Sequence, residues 1–422
     1  LKCGNGNRFA IVKFHKDIFV GLDIGTSTVN TVIAKVDASQ ETIKPQVMGV
    51  GMAPSFGLRR GVVVDIDDAV SSIKKSVAEA ERISGIKVDH AYISIGGVHI
   101  KALASKGVVA VSRANGEISD EDVERVISAS EAISMPLNRE IIHIIPRVFT
   151  VDNETGIKNP VGMHGVRLEV DSLIIDGSTP FIKNLVKCVN ESGINIDALV
   201  LDILAASRAV LNKRQKDLGV LCLDVGGGTS SLCIYEEGDL RHVNILPVVA
   251  MHITNDLAIG LRTAVDIAEK VKIEYGSCLP DEIHKNDAID LAKFGFGEED
   301  LVPRKEVANI IEARVLEILE LTVRELKKID RNRLLPAGVV IIGGGSKIPG
   351  FIDLVKRELK LPAQIGFPAE FDGLADKMDD PVFATAVGLV LWGIDSELSG
   401  KGHKPPSDTV NKMKRWFKIF LP

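Results

Sequence analysis

The sequence predicts an α/β fold of two related domains that face each other, each a mixed β-sheet flanked by helices. An inserted strand-helix-strand-strand subdomain and a C-terminal amphipathic helix complete it. Three observations predict this. First, GLDIGTSTVNTVIAKV at 21–36 is repeated in form by CLDVGGGTSSLCIYEEG at 222–238. Each is an apolar strand ending in Asp, a turn of small residues, and a second strand. Repetition at a spacing of about 200 residues is too long for a solenoid and points to duplicated domains. Second, strands and helices alternate after residue 178, the pattern of sheets covered by helices. Third, 422 residues exceed one ordinary core.

Taken in order, 18–23 is an apolar strand, and 29–36 follows it after a tight turn. Residues 66–84 place Ile66, Val70, Ile73, Val77 and Ile83 on one helical face behind an acidic start. Strand-like runs return at 90–95 and 108–111. Ser119 opens a helix with a capping box closed by Asp122, its core face being Val123, Val126, Ile127 and Ile133. Strands at 141–151 and 165–175 finish the inserted unit, placed at 90–176. Beyond it come a helix at 180–190, a strand at 198–201, a helix at 203–211 and strands at 218–224, 232–235 and 240–248. Helices follow at 250–260, 264–275 and 304–330, then a strand at 338–342 and a last helix at 381–392. Residues 394–409 are rich in Gly, Ser and Pro and read as a flexible linker.

Composition removes several function classes. Hydrophobic residues at 45% and charged residues at 26% are globular, not disordered, proportions. A net charge of −6 offers no global field for nucleic acid. Aromatics at 5% disfavour a carbohydrate-binding or base-stacking surface. No run of 18 apolar residues is present to span a membrane. The five cysteines lack CxxC or zinc spacing and read as free thiols of a reducing compartment. The first residue is Leu1, so the N-terminus reads as incomplete, and 1–17 shows no signal-peptide core.

The chemistry lies in the turns. A glycine-rich turn between strands exposes successive N–H groups that form an anion-binding concavity. Gly25, Thr26, Ser27 and Thr28 make one such turn, and Gly226, Gly227, Gly228 and Thr229 make the other. Asp23 and Asp224 end the strands beside them, where a carboxylate holds Mg²⁺ through its waters. A third cluster, Gly343, Gly344, Gly345 and Ser346, follows a strand and precedes a helix, as the base or sugar end of a nucleotide requires. One turn alone is usually only a turn; two Asp-bearing turns plus a third glycine cluster read as a nucleotide site. No Walker P-loop is present.

DIGTST, DVGGGTS and IIGGGS resemble the two phosphate motifs and the adenosine motif of the actin/Hsp70/sugar-kinase ATPases. Within that group, IPRVFTVDNETGIKNPVGMHGVRLE (145–169), MHITNDLAIGLRT (251–263) and FATAVGLVLWG (383–393) are similar to the FtsA family of actin-like division proteins. The likeness covers 18–422. It implies an actin-like ATPase fold with subdomain 1A at 18–89, 177–217 and 376–393, 1C at 90–176, 2A at 218–255 and 337–375, and 2B at 256–336. It implies ATP and Mg²⁺ as ligands, with Glu269 and Lys272 holding ribose and base. Read without it, that pair is a surface i,i+3 ion pair. Asp202 falls where relatives carry the Glu that positions the attacking water. Three departures stand out. Ser231 replaces the Asp after the second turn, no lysine follows the first turn, and Asp202-Ile203 replaces a Glu-Pro pair. A carboxylate one methylene shorter and missing phosphate-side cations imply ATP binding with slow or negligible hydrolysis.

The end of the chain differs from the body. Met413, Trp416, Phe417, Phe420 and Leu421 fall on one helical face, with Lys412, Lys414, Arg415 and Lys418 on its flanks and opposite side. Without these four bases, 47 bases face 57 acids, so a body of −10 carries a tail of +4. A short basic amphipathic helix at 410–422 behind a linker reads as an interfacial anchor on an anionic membrane surface. A helix docked on the body or on a partner is the plainer reading, which the Pro-containing linker disfavours.

The resemblance implies a peripheral protein on the cytoplasmic face of the bacterial membrane at the division site. There it self-assembles into filaments, binds the C-terminal peptide of FtsZ and recruits later division proteins. Arg304 and Lys305 are candidates for meeting the acidic peptide. An actin-like protein of pilus assembly is the nearest alternative and is expected to lack the tail. An Hsp70-type chaperone would need a peptide-binding domain after residue 400. A sugar kinase would need a substrate pocket and a catalytic base, and has no use for the tail.

Overall fold

The computed structural model describes residues 17–37, 44–132, 136–295, 301–374 and 378–398. The first sheet is seeded by β1 (Ile18–Ile24), which pairs antiparallel with β2 (Thr28–Lys35) across the first small-residue turn. β3 (Gln46–Pro54) extends it antiparallel to β2. Sequence reading passed over this strand because Gly49 and Gly51 look like breakers. Their lack of side chains instead lets the following helix lie on the sheet: a Cβ at Gly51 would stand 1.9 Å from the Ser76 carbonyl oxygen. A short hairpin, β4 (Leu58–Arg59) and β5 (Val62–Val63), precedes that helix, α1 (Ile66–Ser84). Asp65 caps α1 by accepting from the Asp68 N–H.

β6 (His90–Ile95) runs parallel to β1, inside the first sheet. The expected start of the inserted unit at residue 90 is therefore too early: β6 is apolar because both its faces are buried in the main body. The inserted sheet consists of β7 (Lys101–Ala110), β8 (Arg139–Val151), β9 (Glu154–Ile157) and β10 (Arg167–Ser178), ordered β7-β10-β8-β9. Helix α2 (Asp120–Ser130) covers it, and Val126, Ile127, Phe149 and Ile174 fill the space between. The Ser119–Asp122 capping box forms as expected. Ile133 lies outside the described residues. The strand expected at 108–111 begins at Lys101, seven residues earlier, in a stretch too polar and exposed to show an apolar run.

The chain returns to the first half through α3 (Thr179–Glu191), β11 (Asn195–Leu201), which pairs with β6, α4 (Asp202–Val210) and α5 (Lys213–Leu218). The second half is built on β12 (Val220–Val225), β13 (Ser230–Glu236) and β14 (Asp239–Leu246). Helices α6 (Ala250–Gly260) and α7 (Val265–Tyr275) follow, then β15 (Ala288–Asp290), β16 (Leu301–Pro303) and the long α8 (Arg304–Lys328). β17 (Val339–Ile342), α9 (Phe351–Leu359) and β18 (Ala363–Ile365) close a sheet ordered β14-β13-β12-β17-β18. Finally β19 (Asp372–Gly373) joins β3, and α10 (Ala384–Leu398) enters the core of the first half.

Two features of α10 correct expectations. It runs on to Leu398 with Ile394 and Glu397 buried, so the linker does not begin at 394. The segment Pro381–Leu398 is long and apolar enough to cross a membrane, yet 78% of it is buried in the body, as befits a core helix. The rest of the expected linker and the 410–422 helix lie outside the described residues. The inserted sheet also reaches the second half. Lys158 pairs with Asp239 and donates to the Glu237 carbonyl (3.2 Å), and Arg147 donates to the Arg241 carbonyl (3.3 Å).

Candidate functional site

The two Asp-bearing turns meet between the halves. Each is closed by the same bond: the Gly25 N–H donates to the Thr28 carbonyl at 3.0 Å, and the Gly226 N–H to the Thr229 carbonyl at 3.0 Å. Their tips face each other so closely that a Cβ at Gly228 would stand 2.2 Å from Thr26 Oγ1 and 2.4 Å from its Cβ. Helix α6 starts on the second turn, with the Ala250 N–H bonded to the Gly226 carbonyl and the Met251 N–H to that of Gly227, both at 3.1 Å. A cavity of about 520 Å³ opens here, a size suited to a nucleotide.

Both turns line this cavity: Gly25, Thr26, Ser27 and Thr28 from the first, Gly226, Gly227, Gly228 and Thr229 from the second. Gly343, Gly344 and Gly345 line it too. Ser346 does not, because its hydroxyl is buried and donates to the Gly343 carbonyl at 2.7 Å. The expected α-helix does not follow at once; a 3-10 turn, Gly344–Lys347, intervenes before α9.

Three carboxylates form the floor. Asp23 accepts from Ser94 Oγ (2.8 Å) and Asn30 Nδ2 (3.3 Å), and Asn30 is its register partner on β2. Burial pushes Asp23 up to about 6, despite those two bonds. Asp202, at the start of α4, accepts from the Ile203 N–H (2.6 Å) and from Ser231 Oγ (3.3 Å). Burial, helped by the charge of Asp23, pushes it up to about 7. Asp224 is raised well above the usual carboxylate range by burial and by the charges of Asp202 and Asp23. Its Oδ1 is buried and has no hydrogen-bond partner among the described residues. The residues that replace family-typical groups, Asp202 and Ser231, thus bond to each other.

This donor set fits a divalent cation held through its waters. The carboxylates feel one another's charge, and Asp224 Oδ1 awaits a partner. Among the described residues no three acidic, His or Cys side chains converge closely enough to grip a metal directly.

At the other end, Lys272 and Glu269 both line the cavity and pair at 2.6 Å. The lysine is nearly buried, with 11% side-chain exposure, so this is not a surface pair. Buried Thr254 of α6 completes the group, donating to Glu269 (2.5 Å) and accepting from Lys272 (2.9 Å). Sequence reading missed Thr254, Ser94 and Asn30. Asn30 alone left a trace, standing as far beyond the first turn as Ser231 stands beyond the second. Arg304 and Lys305 lie away from the cleft, already engaged by Asp287 (3.6 Å) and Asp281 (3.2 Å).

Two halves closing on a cleft lined by paired Asp-bearing turns define an actin-like fold. Solved structures agree: the PilM–PilN type IV pilus biogenesis complex aligns at TM-score 0.65 and 18% identity, over 89% of this chain and 98% of that one. MreB5 of Spiroplasma citri bound to ADP aligns at TM-score 0.54 and 14% identity, over 92% and 99%. At such identities the likeness speaks for fold alone. The chain belongs to the FtsA family of cell-division proteins. The family described as cell division protein FtsA matches residues 221–388, and the SHS2 domain inserted in FtsA matches 97–176. The cell division protein FtsA of Pseudomonas aeruginosa is 33% identical over 409 residues, covering 94% of this chain and 97% of its own. That of Borreliella burgdorferi is 36% identical over 409 residues (95% and 98%), and that of Bacillus subtilis 36% over 402 (94% and 89%). The likeness to the PilM–PilN complex, at 18% identity, speaks for fold and does not favour the pilus-assembly alternative over the FtsA relatives at 33–36%.

Proposed function

We propose that this division protein binds ATP with Mg²⁺ in the cleft, assembles into filaments, and tethers the FtsZ ring to the inner face of the membrane through 410–422. The observation that carries the reading is the face-to-face placement of the two Asp-bearing turns over one nucleotide-sized cavity. Turn N–H groups bind phosphate oxygens, and Glu269 and Lys272 orient the ribose and base. Asp23 and Asp224 would hold the metal, whose charge offsets that of the phosphates when bound. The subdomain bounds follow the FtsA plan, with 1C beginning near 97 and 2B near 256.

Hydrolysis is slow. Asp202 would position the attacking water, but two of its acceptor sites are occupied by Ile203 and Ser231. Turnover stays below about 1 s⁻¹. With Arg304 and Lys305 paired internally, an acidic FtsZ peptide must compete with Asp287 and Asp281 for them. The R304E/K305E double change therefore tests a minor contribution.

The decisive experiment is co-pelleting with FtsZ on anionic vesicles, with and without Mg-ATP, using the full chain and a 410–422 deletion. FtsZ should pellet only with the full chain. Equal pelleting by the deletion removes the membrane assignment. Absence of calorimetric ATP binding removes the nucleotide assignment.

A further inference from the structure

The nucleotide reading leaves a charge problem. Beside three carboxylates, the basic side chains lining the cavity are Lys272 and Lys347. Both are committed, Lys272 to Glu269 at 2.6 Å and Lys347 to Asp380 at 2.7 Å. No lysine follows the first turn. A triphosphate needs a cation there.

The β4–β5 hairpin holds one beside the site. Leu58 pairs with Val63 and Arg59 with Val62, leaving Arg60 and Gly61 as a two-residue loop. Both are left-handed, with φ of 52° and 72°. Such turns favour Asn, Asp or Gly, and an arginine costs about 1 kcal/mol of backbone strain. Strain kept at a site is a pointer to use. The loop rests on the first phosphate turn, where the Gly61 N–H donates to Thr26 Oγ1 at 3.0 Å. Gly61 and Leu58 both line the cavity.

The charge of Arg60 is felt across the cleft. His252 sits in the first turn of α6, the helix that starts on the second phosphate turn. Burial, then the charges of Arg314 and Arg60, hold His252 below its ordinary value. Arg60 is exposed, and among the described residues its side chain has no ion-pair or hydrogen-bond partner. Arg60 does not itself line the cavity, but an exposed, uncommitted guanidinium on the loop that rests on the first phosphate turn has the fork geometry that phosphate oxygens accept.

We propose that Arg60 is the cation that closes over the terminal phosphate and makes the cleft prefer a nucleoside triphosphate to a diphosphate. The assignment rests on the nucleotide reading above.

The test titrates the full chain with Mg-ATP, Mg-ADP and adenosine by calorimetry, using wild type, Arg60→Gly and Arg60→Lys. Glycine suits the left-handed loop, so Arg60→Gly keeps the hairpin while removing the charge. It should weaken ATP about tenfold and ADP less than about threefold, with adenosine unchanged and Arg60→Lys falling between wild type and Arg60→Gly. An ATP-over-ADP preference that falls by less than about threefold overturns the assignment. So does a common loss of all three ligands, which would mark a structural role. Wild type failing to bind ATP at all brings down the nucleotide reading first, and Arg60 with it.

Discussion

Acid should loosen this protein through His143. The side chain lies on β8 of the inserted sheet, is fully buried, and its Nε2 accepts the Leu201 N–H at 2.9 Å. Its ring stands 5.7 Å from that of Trp392 on α10. Burial pushes it from 6.5 down to about 3, so the fold favours the neutral ring. The sign follows from linkage. The folded value is depressed, so the stabilisation is complete above 6.5 and is lost as pH falls from 6.5 toward 3. At about 1.4 kcal/mol per pH unit, roughly 2–3 kcal/mol is gone by about pH 4.5. His143→Gln keeps an acceptor and cannot titrate there. At pH 7.5 it should cost about 1–2 kcal/mol, and between pH 6.5 and 4.5 the gap should close and reverse. Urea unfolding of both proteins across that range measures it. His99, lowered to about 4 mainly by burial, acts in the same direction, and the raised Asp23 and Asp202 act oppositely. All three are common to both proteins and cancel in the difference. Parallel curves from pH 6.5 to 4.5 would refute the reasoning.

Three further outcomes are expected. Gly51→Ala drives a Cβ against the Ser76 carbonyl and should cost at least about 2 kcal/mol, read as a lower melting temperature; a shift under about 1 °C would show that α1 can lift away freely. Arg139→Ala strands Asp176, which is 1% exposed, and should cost about 3–5 kcal/mol, with faster amide exchange at the roots of β7, β8 and β10 and little change in β12–β14. Glu269→Ala should weaken ATP about tenfold and lower the melting temperature as well, since it leaves the nearly buried Lys272 without its carboxylate; unaltered affinity would take ribose recognition away from it.

The phosphate turns were legible because their chemistry is local: an Asp, small residues and two flanking strands lie within a dozen positions. Helices with a strong single face were equally plain, and α1 spans its expected 66–84. What stayed hidden depends on contacts made by the folded chain. β3 reads as loop until α1 is seen to need its missing side chains. β6 is apolar whichever sheet takes it, so only pairing with β1 and β11 decides its allegiance. Thr254 carries no motif; its role exists only once α6 and α7 bring it beside Glu269 and Lys272. Arg60 hid in a hairpin of two-residue strands, too short to show alternation.

The place of α10 sets an order on biogenesis. This helix fills the centre of the first half, against β1, β2, β6 and α4, yet it is synthesised after the entire second half. Strands β1–β3 therefore emerge early with their apolar inner face uncovered. The second half, whose strands and helices are contiguous from β12 to β18, can condense on the ribosome while the first half waits. Translation beyond residue 384 then closes the older half around its newest helix. Truncations ending before α10 should consequently yield a folded second half tied to an open, chaperone-dependent first half.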